Sequence, residues 1–346
     1  MFEFEFLIGS LRKHIHWVNQ NRSLFFEKPP PFLTIIQYDR ERQTIIILFH
    51  SKILSSLHVS VCLIRYPRGI IALMSNPTWR LLLTPPATGA WNMAVDEAIL
   101  ESTGSQKAPP TLRLYAWQPP CLSLGYAQSA NEVDFAALNR LGWQIVRRPT
   151  GGRAILHTDE LTYSVITPPD DPIMAGGVLE SYRRLAQALL RALHILGLQA
   201  AADARYPTTD TTPNGPVCFE VPSNYEITVA GKKLLGSAQA RRSQGILQHG
   251  SFPLHGDLTR ITQALVFPDE EARQRAAQRL LAHAATAADY LTPPPTWQQA
   301  AQAFQSAFAE TLGLNLVPGE LSPAEHQRAQ TLQAEKYAAD SWTMRL

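Results

Sequence analysis

The sequence is short of the residues that mark several common protein classes. Three cysteines, Cys62, Cys121 and Cys218, are too few and too scattered in 346 residues for a disulfide framework. No two form a CxxC pair, which removes the usual zinc and thioredoxin signatures. An excess of one charge is missing too: 31 Lys and Arg against 29 Asp and Glu leave +2. That balance excludes a polybasic binder of nucleic acid or of a membrane surface. His157 and His249 sit in no HxxxH or HExxH spacing, so no metal site is expected. Walker and Rossmann glycine patterns are absent. The longest uncharged stretch within residues 1–73, Ile53 to Ile64, is twelve residues and too short to span a bilayer. Glu3 and Glu5 stand where a secretory signal would be basic. The expectation is a reduced, cytoplasmic, globular protein.

What is present suffices for a sizeable core: 45% hydrophobic and 17% charged residues. The texture changes near Met74. Residues 1–73 hold nine basic and five acidic residues and a Pro29-Pro30-Pro31 break, a net of +4; residues 74–346 hold 22 and 24, a net of −2. This reads as residues 1–73 forming a non-native or upstream-translated extension, and 74–346 the working domain. The alternative is a genuine N-terminal strand pair.

Periodicity within 74–346 gives a mixed set of elements. Strands are expected over 79–84, 111–117, 121–126, 143–147, 154–157, 161–167 and 246–252. A helix is expected over 89–102, with Asp96 and Glu97 among its apolar residues, and a short one over 133–141 capped by Asp134. Val178, Tyr182, Leu185, Leu189, Leu193 and Leu196 make one apolar stripe of a long helix. Residues 199–216 read as a loop. Segments 225–230 and 234–238 read as a hairpin around Gly231-Lys232. The remainder reads as helical, with a stripe at Trp297, Ala301, Phe304 and Phe308 and a capping box at Ser322–Glu325. Without a strict βαβ rhythm, the fold class is α+β.

Four segments carry candidate chemistry. Arg147 to His157 reads RRPTGGRAILH: glycines let a backbone approach a ligand, and arginines supply forked donors. It also reads as a plain turn with surface arginines. Cys218 to Glu226 places a cysteine after a polar loop, where a thiolate would be a nucleophile toward thioesters; a lone cysteine is as readily a small buried hydrophobe. Gly231 to Gln239 holds Lys232 and Lys233, usually solvated, but Lys233 begins the return strand and one face of the hairpin can aim it inward. There an ammonium would lower a thiol pKa and steady an oxyanion. Gln248-His249-Gly250-Ser251 either lines a pocket or is a packed strand. Cys121 reads as structural. Arg147, Arg148, Arg241 and Arg242 read as a positive patch for an acidic carrier.

Taken in order with Asn92 to Glu97 and Lys336 to Trp342, these segments resemble the biotin/lipoate protein ligase superfamily over about residues 78–346. The CFEVPSNYE run at Cys218 is similar to octanoyltransferases of the LipM type. The resemblance implies a mixed β-sheet backed by helices, like the biotin protein ligase catalytic domain. It implies octanoyl transfer from acyl carrier protein to a lysine of a lipoyl domain, such as the glycine-cleavage H protein. It places the nucleophile at Cys218 and the catalytic amine at Lys233. Substrate contacts then fall to Arg148, Thr150, Gly151, Gly152, Arg153, His157, Gly236, Ser237, Ala238, Gln239 and His249, with the Gly151-Gly152 loop holding the acyl chain. Asn224 stands where relatives often carry a bulkier residue. No cofactor is expected. Alternatives are an ATP-dependent lipoate–protein ligase, which needs no cysteine, an amidotransferase between lipoyl domains, and a non-catalytic acyl-binding module.

Overall fold

A computed structural model describes residues 76–203 and 226–346 and, within the first 75 residues, the backbone of five strands. The chain divides into two units, Met1–Ser75 and Asn76–Leu346. In the first, β1 (Ile15–Trp17), β2 (Ser23–Phe26), β3 (Leu33–Asp39), β4 (Thr44–Ile53) and β5 (Ser56–Arg65) follow one another in a single antiparallel sheet. The uncharged run from Ile53 falls across β4 and β5, which pair from Thr44↔Arg65 to Ile53↔Ser56. Pro29–Pro31, Met74 and the whole Cys218 to Tyr225 segment lie outside the described residues.

The second unit is built on an eight-stranded mixed sheet. Its spatial order is β12 (Ala200–Asp203), β13 (Glu226–Val229), β14 (Lys232–Arg242), β15 (Gly245–Pro253), β11 (Glu160–Thr167), β7 (Thr111–Tyr115), β6 (Thr78–Leu83) and β16 (Asn315–Pro318). All neighbours are antiparallel except β7, β6 and β16, which run parallel. A small sheet of β10 (Ile155–His157), β8 (Cys121–Leu124) and β9 (Gln144–Arg147) stands beside it. Seven α-helices accompany them among the described residues: α1 (Gly89–Gly104), α2 (Phe135–Leu141), α3 (Val178–Ile195), α4 (Glu270–His283), α5 (Trp297–Leu312), α6 (Pro323–Leu332) and α7 (Asp340–Thr343).

The apolar stripes decide which face each helix covers. Leu185, Leu189 and Leu193 of α3 and Phe304 and Phe308 of α5 bury against Leu112, Leu114, Tyr163, Ile227 and Leu235 on one face of the large sheet. Met93, Val95 and Ile99 of α1 pack with Tyr115, Ile166 and Leu247 on the other. Asp134 caps α2 by accepting from the Ala137 N–H, and Ser322 and Glu325 form the capping box of α6. The architecture is the expected α+β mixed sheet backed by helices.

Two elements differ from the sequence reading. Residues 200–203, taken as loop, form β12 against β13. Residues 315–318, within a stretch read as helical, form β16 and pair with β6 from Asn315↔Thr78 to Pro318↔Leu81. Neither segment shows the alternation of a half-buried strand; tertiary pairing makes them strands. The β13–β14 turn also sits one residue earlier than expected. Val229 pairs with Lys232, leaving Ala230 and Gly231 as a two-residue turn with φ of 50° and 78°. Such a turn needs positive φ at both positions, which Gly231 adopts without strain.

Candidate active site

The register of β14 settles which way its lysines face. Lys232 pairs with Val229 and Lys233 with Thr228, but the next partner of Ile227 is Leu235, so Leu234 is an extra residue, a β-bulge. Directly paired residues share a face. Leu235 and Ile227 face α3 and α5. Without the bulge Lys233, two residues earlier, would share that apolar face. The bulge turns it to the opposite face, the one carrying Gly236 and Ala238. Lys233 is 3% exposed, and its backbone carbonyl accepts from the Ala285 N–H beyond α4. Lys232 instead donates to the Leu281 carbonyl in the last turn of α4, where a cation suits the helix end.

On that same face lies a small pocket. Gly236, Ser237 and Ala238 of β14, His249, Gly250 and Ser251 of β15, Thr162 of β11, Tyr115 and Trp117 form its sheet side. Met93 of α1 and Ser123, Arg148, Ile155 and His157 from around the small sheet complete it.

Two buried networks hold these walls. In the first, His157 Nδ1 lies 2.8 Å from Glu160 and Nε2 2.8 Å from Ser123. Ser251 donates to the other Glu160 oxygen at 2.6 Å, Thr162 donates to Glu160 as well, and the Trp117 indole donates to Thr162 at 2.7 Å. Trp117 stacks on His157 at 4.0 Å between ring centroids. Arg148 ties this network to the glycine loop: it donates to Ser123 Oγ and to the carbonyls of Ser123, Gly151 and Arg153. In the second, the Arg113 guanidinium donates to Asp96 at 2.7 Å and to the Asn92 side chain at 2.8 Å. Tyr115 and Ser164 donate to Asp96. His249 stands 3.7 Å from Asp96 and 2.6 Å from the Thr150 hydroxyl.

Both carboxylates are tuned by these neighbours. Burial alone pushes Asp96 up, but the charges of Arg113 and His249 and their hydrogen bonds outweigh it, and its pKa lies below the usual 3.8. Burial likewise pushes Glu160 up; the His157 charge and the bonds from His157, Ser251 and Thr162 bring it below 4.5. His249 moves below 6.5, burial outweighing the pull of Asp96. A carboxylate with a depressed native pKa stabilises the fold above its unfolded value, and that stability is lost as pH falls through the native one. Acid unfolding is therefore expected to steepen below about pH 4. In Glu160→Gln the steepening should diminish, measured by urea titrations between pH 3 and 6; an unchanged pH profile would contradict it.

Several expected contacts fall elsewhere. Gly151 and Gly152 are exposed and, with Arg153 and Gln239, line an open groove beside Arg241, Arg242, Lys336 and Trp342, not the cavity. The proposed arginine patch is corrected: Arg147 and Arg148 are buried. Arg147 donates to the carbonyls of Gly125, Gln128, Trp342 and Thr343, fastening the C-terminal segment to β9. Lys336 pairs with Glu97 at 2.7 Å, and the Trp342 indole donates back to the Arg147 carbonyl. Cys121 is buried and its thiol is pushed far up by burial, as suits a structural residue. Glu160, Ser123, Thr162, Arg113 and Trp117 were missed; polar residues in short apolar strands give no signal until the sheets assemble.

Comparison with known proteins agrees with this architecture. The lipoyl protein ligase A/B catalytic domain matches residues 88–309. The chain is 45% identical over 276 residues to Octanoyltransferase LipM of Kyrpidia tusciae, spanning 78% of this chain and 99% of that protein. It is 38% identical over 276 residues to Octanoyltransferase LipM of Bacillus subtilis, with the same coverage. Among solved structures, a bi-partite lipoate protein ligase of Thermoplasma acidophilum superposes with a TM-score of 0.64 at 27% identity, covering 78% of this chain and 96% of that one. A lipoate-protein ligase A bound with ATP gives 0.63 at 27% identity, over 77% and 98% of the respective chains.

Proposed function

Because the chain belongs to the lipoyl protein ligase A/B catalytic-domain family, and within it to the LipM octanoyltransferases, we propose that it moves its acyl group through a thioester on Cys218. Octanoyl transfer in protein lipoylation is its activity, and it is an acyltransferase. An acyl donor and a lipoyl-domain acceptor follow from that activity. The finer reading takes octanoyl-acyl carrier protein as donor and a lipoyl protein such as the glycine-cleavage H protein as acceptor, in the cytoplasm and without ATP.

The observation that carries this reading is the bulge that puts the buried Lys233 on the sheet face shared with Gly236 and Ala238 of the pocket wall. The Cys218 thiolate attacks the octanoyl carbonyl, a new C–S bond forms, and the carrier thiol leaves. Lys233 favours the thiolate and steadies the oxyanion. The acceptor amine then attacks the acyl-enzyme, forms the amide and releases Cys218. Exchange of one thioester for another is nearly isoenergetic and draws on no nucleotide. The apolar part of the cavity wall holds the chain, each buried methylene giving about 0.8 kcal/mol.

Two outcomes test this. Incubation with octanoyl-acyl carrier protein and an apo lipoyl domain, with ATP omitted, should add one octanoyl group to the acceptor by intact mass. Modification only with ATP and free acid would replace the reading by a ligase. Shortening the donor chain by two carbons removes about 1.6 kcal/mol of burial, so a hexanoyl donor should lose about fifteenfold in kcat/KM. Equal turnover of the two donors would show that the cavity does not hold the chain.

A further inference from the structure

Strand pairing gives the pocket an axis. On the sheet face toward α1, Gly236 of β14 stands beside Ser251 of β15, Ser251 beside Thr162 of β11, and Thr162 beside Tyr115 of β7. All four line the pocket. Neighbouring strands lie about 4.8 Å apart, so this row measures about 14 Å from β14 to β7. Lys233 belongs to the β14 end, three residues before Gly236 in the same strand. At the β7 end stand Tyr115, Trp117 and Met93, members of one apolar cluster.

The helix α1 brings Met93 to that end. Leu100 lies against Gly245, where a Cβ would come 2.8 Å from its Cδ1. One turn back, Asp96 meets Ser164 and Arg113, a paired row one step from the pocket's own. Met93, another turn back, therefore lies over the row of Thr162 and Tyr115. It is the pocket residue that α1 supplies. Its neighbours are fixed by hydrogen bonds: the Trp117 indole to Thr162, the Tyr115 hydroxyl to Asp96, His157 to Ser123 and Glu160. The Met93 thioether chain has no such tie and fills space by shape alone. At 1% exposure it is enclosed, so room vacated there stays inside the protein. Ile155, the other large aliphatic side chain of the wall, is half-buried, and shortening it would open the pocket outward.

An acyl chain with its carbonyl toward Lys233 points its methyl end at Met93. We propose that Met93 is the end stop of this pocket and sets the length of acyl chain that the enzyme transfers. The proposal rests on the octanoyl-transfer reading above and names the residue behind its choice of chain. A chain of the right length puts its terminal methyl in dispersion contact with the thioether. A longer one must push Met93 into the close-packed cluster behind it, and a shorter one leaves a gap whose lining atoms lose their partners.

The experiment uses the full chain, an apo lipoyl domain, and hexanoyl-, octanoyl-, decanoyl- and dodecanoyl-acyl carrier protein as donors. Each enzyme is judged by the ratio of kcat/KM between donors within one preparation, a ratio that a partly unfolded sample leaves unchanged. Met93→Ala vacates the space beyond Cβ, enough for about two further methylenes, so the decanoyl-to-octanoyl ratio should rise about fifteenfold over wild type. Met93→Phe adds bulk at the same place and should raise the hexanoyl-to-octanoyl ratio about fourfold. Met93→Leu is close to methionine in volume but reaches less far; it should shift the profile in the same direction as alanine by about fourfold, and it carries the test where the alanine variant does not fold. Donor ratios within twofold of wild type in these variants would overturn the proposal, and so would a shift of the alanine and leucine variants toward shorter chains. A wild-type enzyme inactive with every thioester donor would overturn the transfer reading instead, and the same chain-length series given as free acids with ATP would then test the end stop.

Discussion

Replacing Cys218 with alanine is expected to abolish octanoyl transfer, lowering turnover by on the order of 10⁴ or more. It should also remove the octanoyl adduct that hydroxylamine would otherwise cleave from the wild-type enzyme. The size follows from the route: without sulfur the acceptor amine would have to attack the carrier thioester directly, with both macromolecules crowded on one site. Cys218→Ser keeps an oxygen nucleophile but loses the readily formed thiolate, and the ester it would form is less reactive toward amines. Lys233→Met should fall less, by about 10²–10³-fold, the usual cost of one oxyanion donor, and should raise the pH at which the adduct forms. Cys121→Ala is the control. Its thiol is buried and held protonated, so transfer should be retained. A Cys218→Ser enzyme with full transfer activity would remove the mechanism.

The elements were legible in proportion to how local their causes were. The α3 stripe, the Asp134 cap and the Ser322–Glu325 box each depend on residues a turn apart, and the structure has them where periodicity puts them, except that Val178 at the start of the stripe stays exposed. The difference between Lys232 and Lys233 was only half legible. Position at the start of the return strand pointed to Lys233 as the one that could face inward, but the face it takes depends on a one-residue bulge against β13, and bulges leave no mark in an apolar run. Arg147 and Arg148 show the opposite failure. Adjacent arginines beside glycines look like surface charge, yet the Arg147 guanidinium is consumed by main-chain carbonyls distant in sequence, and that of Arg148 by the Ser123 carbonyl and those of Gly151 and Arg153 in its own loop. A buried arginine of that sort serves to pin loops, and nothing within its own segment discloses the distant partners. The open groove at Arg241 and Arg242 keeps some positive charge on the surface, but without the pair that adjoined the glycines.

Arg113→Met is expected to cost about 3–5 kcal/mol of stability, the largest effect of any single change away from Cys218. Both members of the Arg113–Asp96 pair are fully buried, so truncating the arginine leaves a carboxylate with only the hydroxyls of Tyr115 and Ser164 and the more distant His249. A drop of about 10 °C in Tm is the scale for a unit of this size. The pH dependence identifies the cause. In the variant the Asp96 pKa should rise, because burial then acts without the opposing guanidinium. Its carboxyl takes up a proton in the native state before the unfolded one does, so the deficit should shrink as pH falls toward 4. Arg113→Met with Asp96→Asn should be less damaging than the sum of the two single changes, since no buried charge remains. Additive losses in that double-mutant cycle would mean that the two residues act separately. The consequence reaches the acyl cavity, because Asp96 stands beside His249 and His249 bonds Thr150 at the head of the glycine loop. A neutralised or displaced Asp96 frees that imidazole, so even a folded Arg113→Met enzyme should bind its acyl chain more weakly, visible as a rise in KM for the octanoyl donor with kcat less affected.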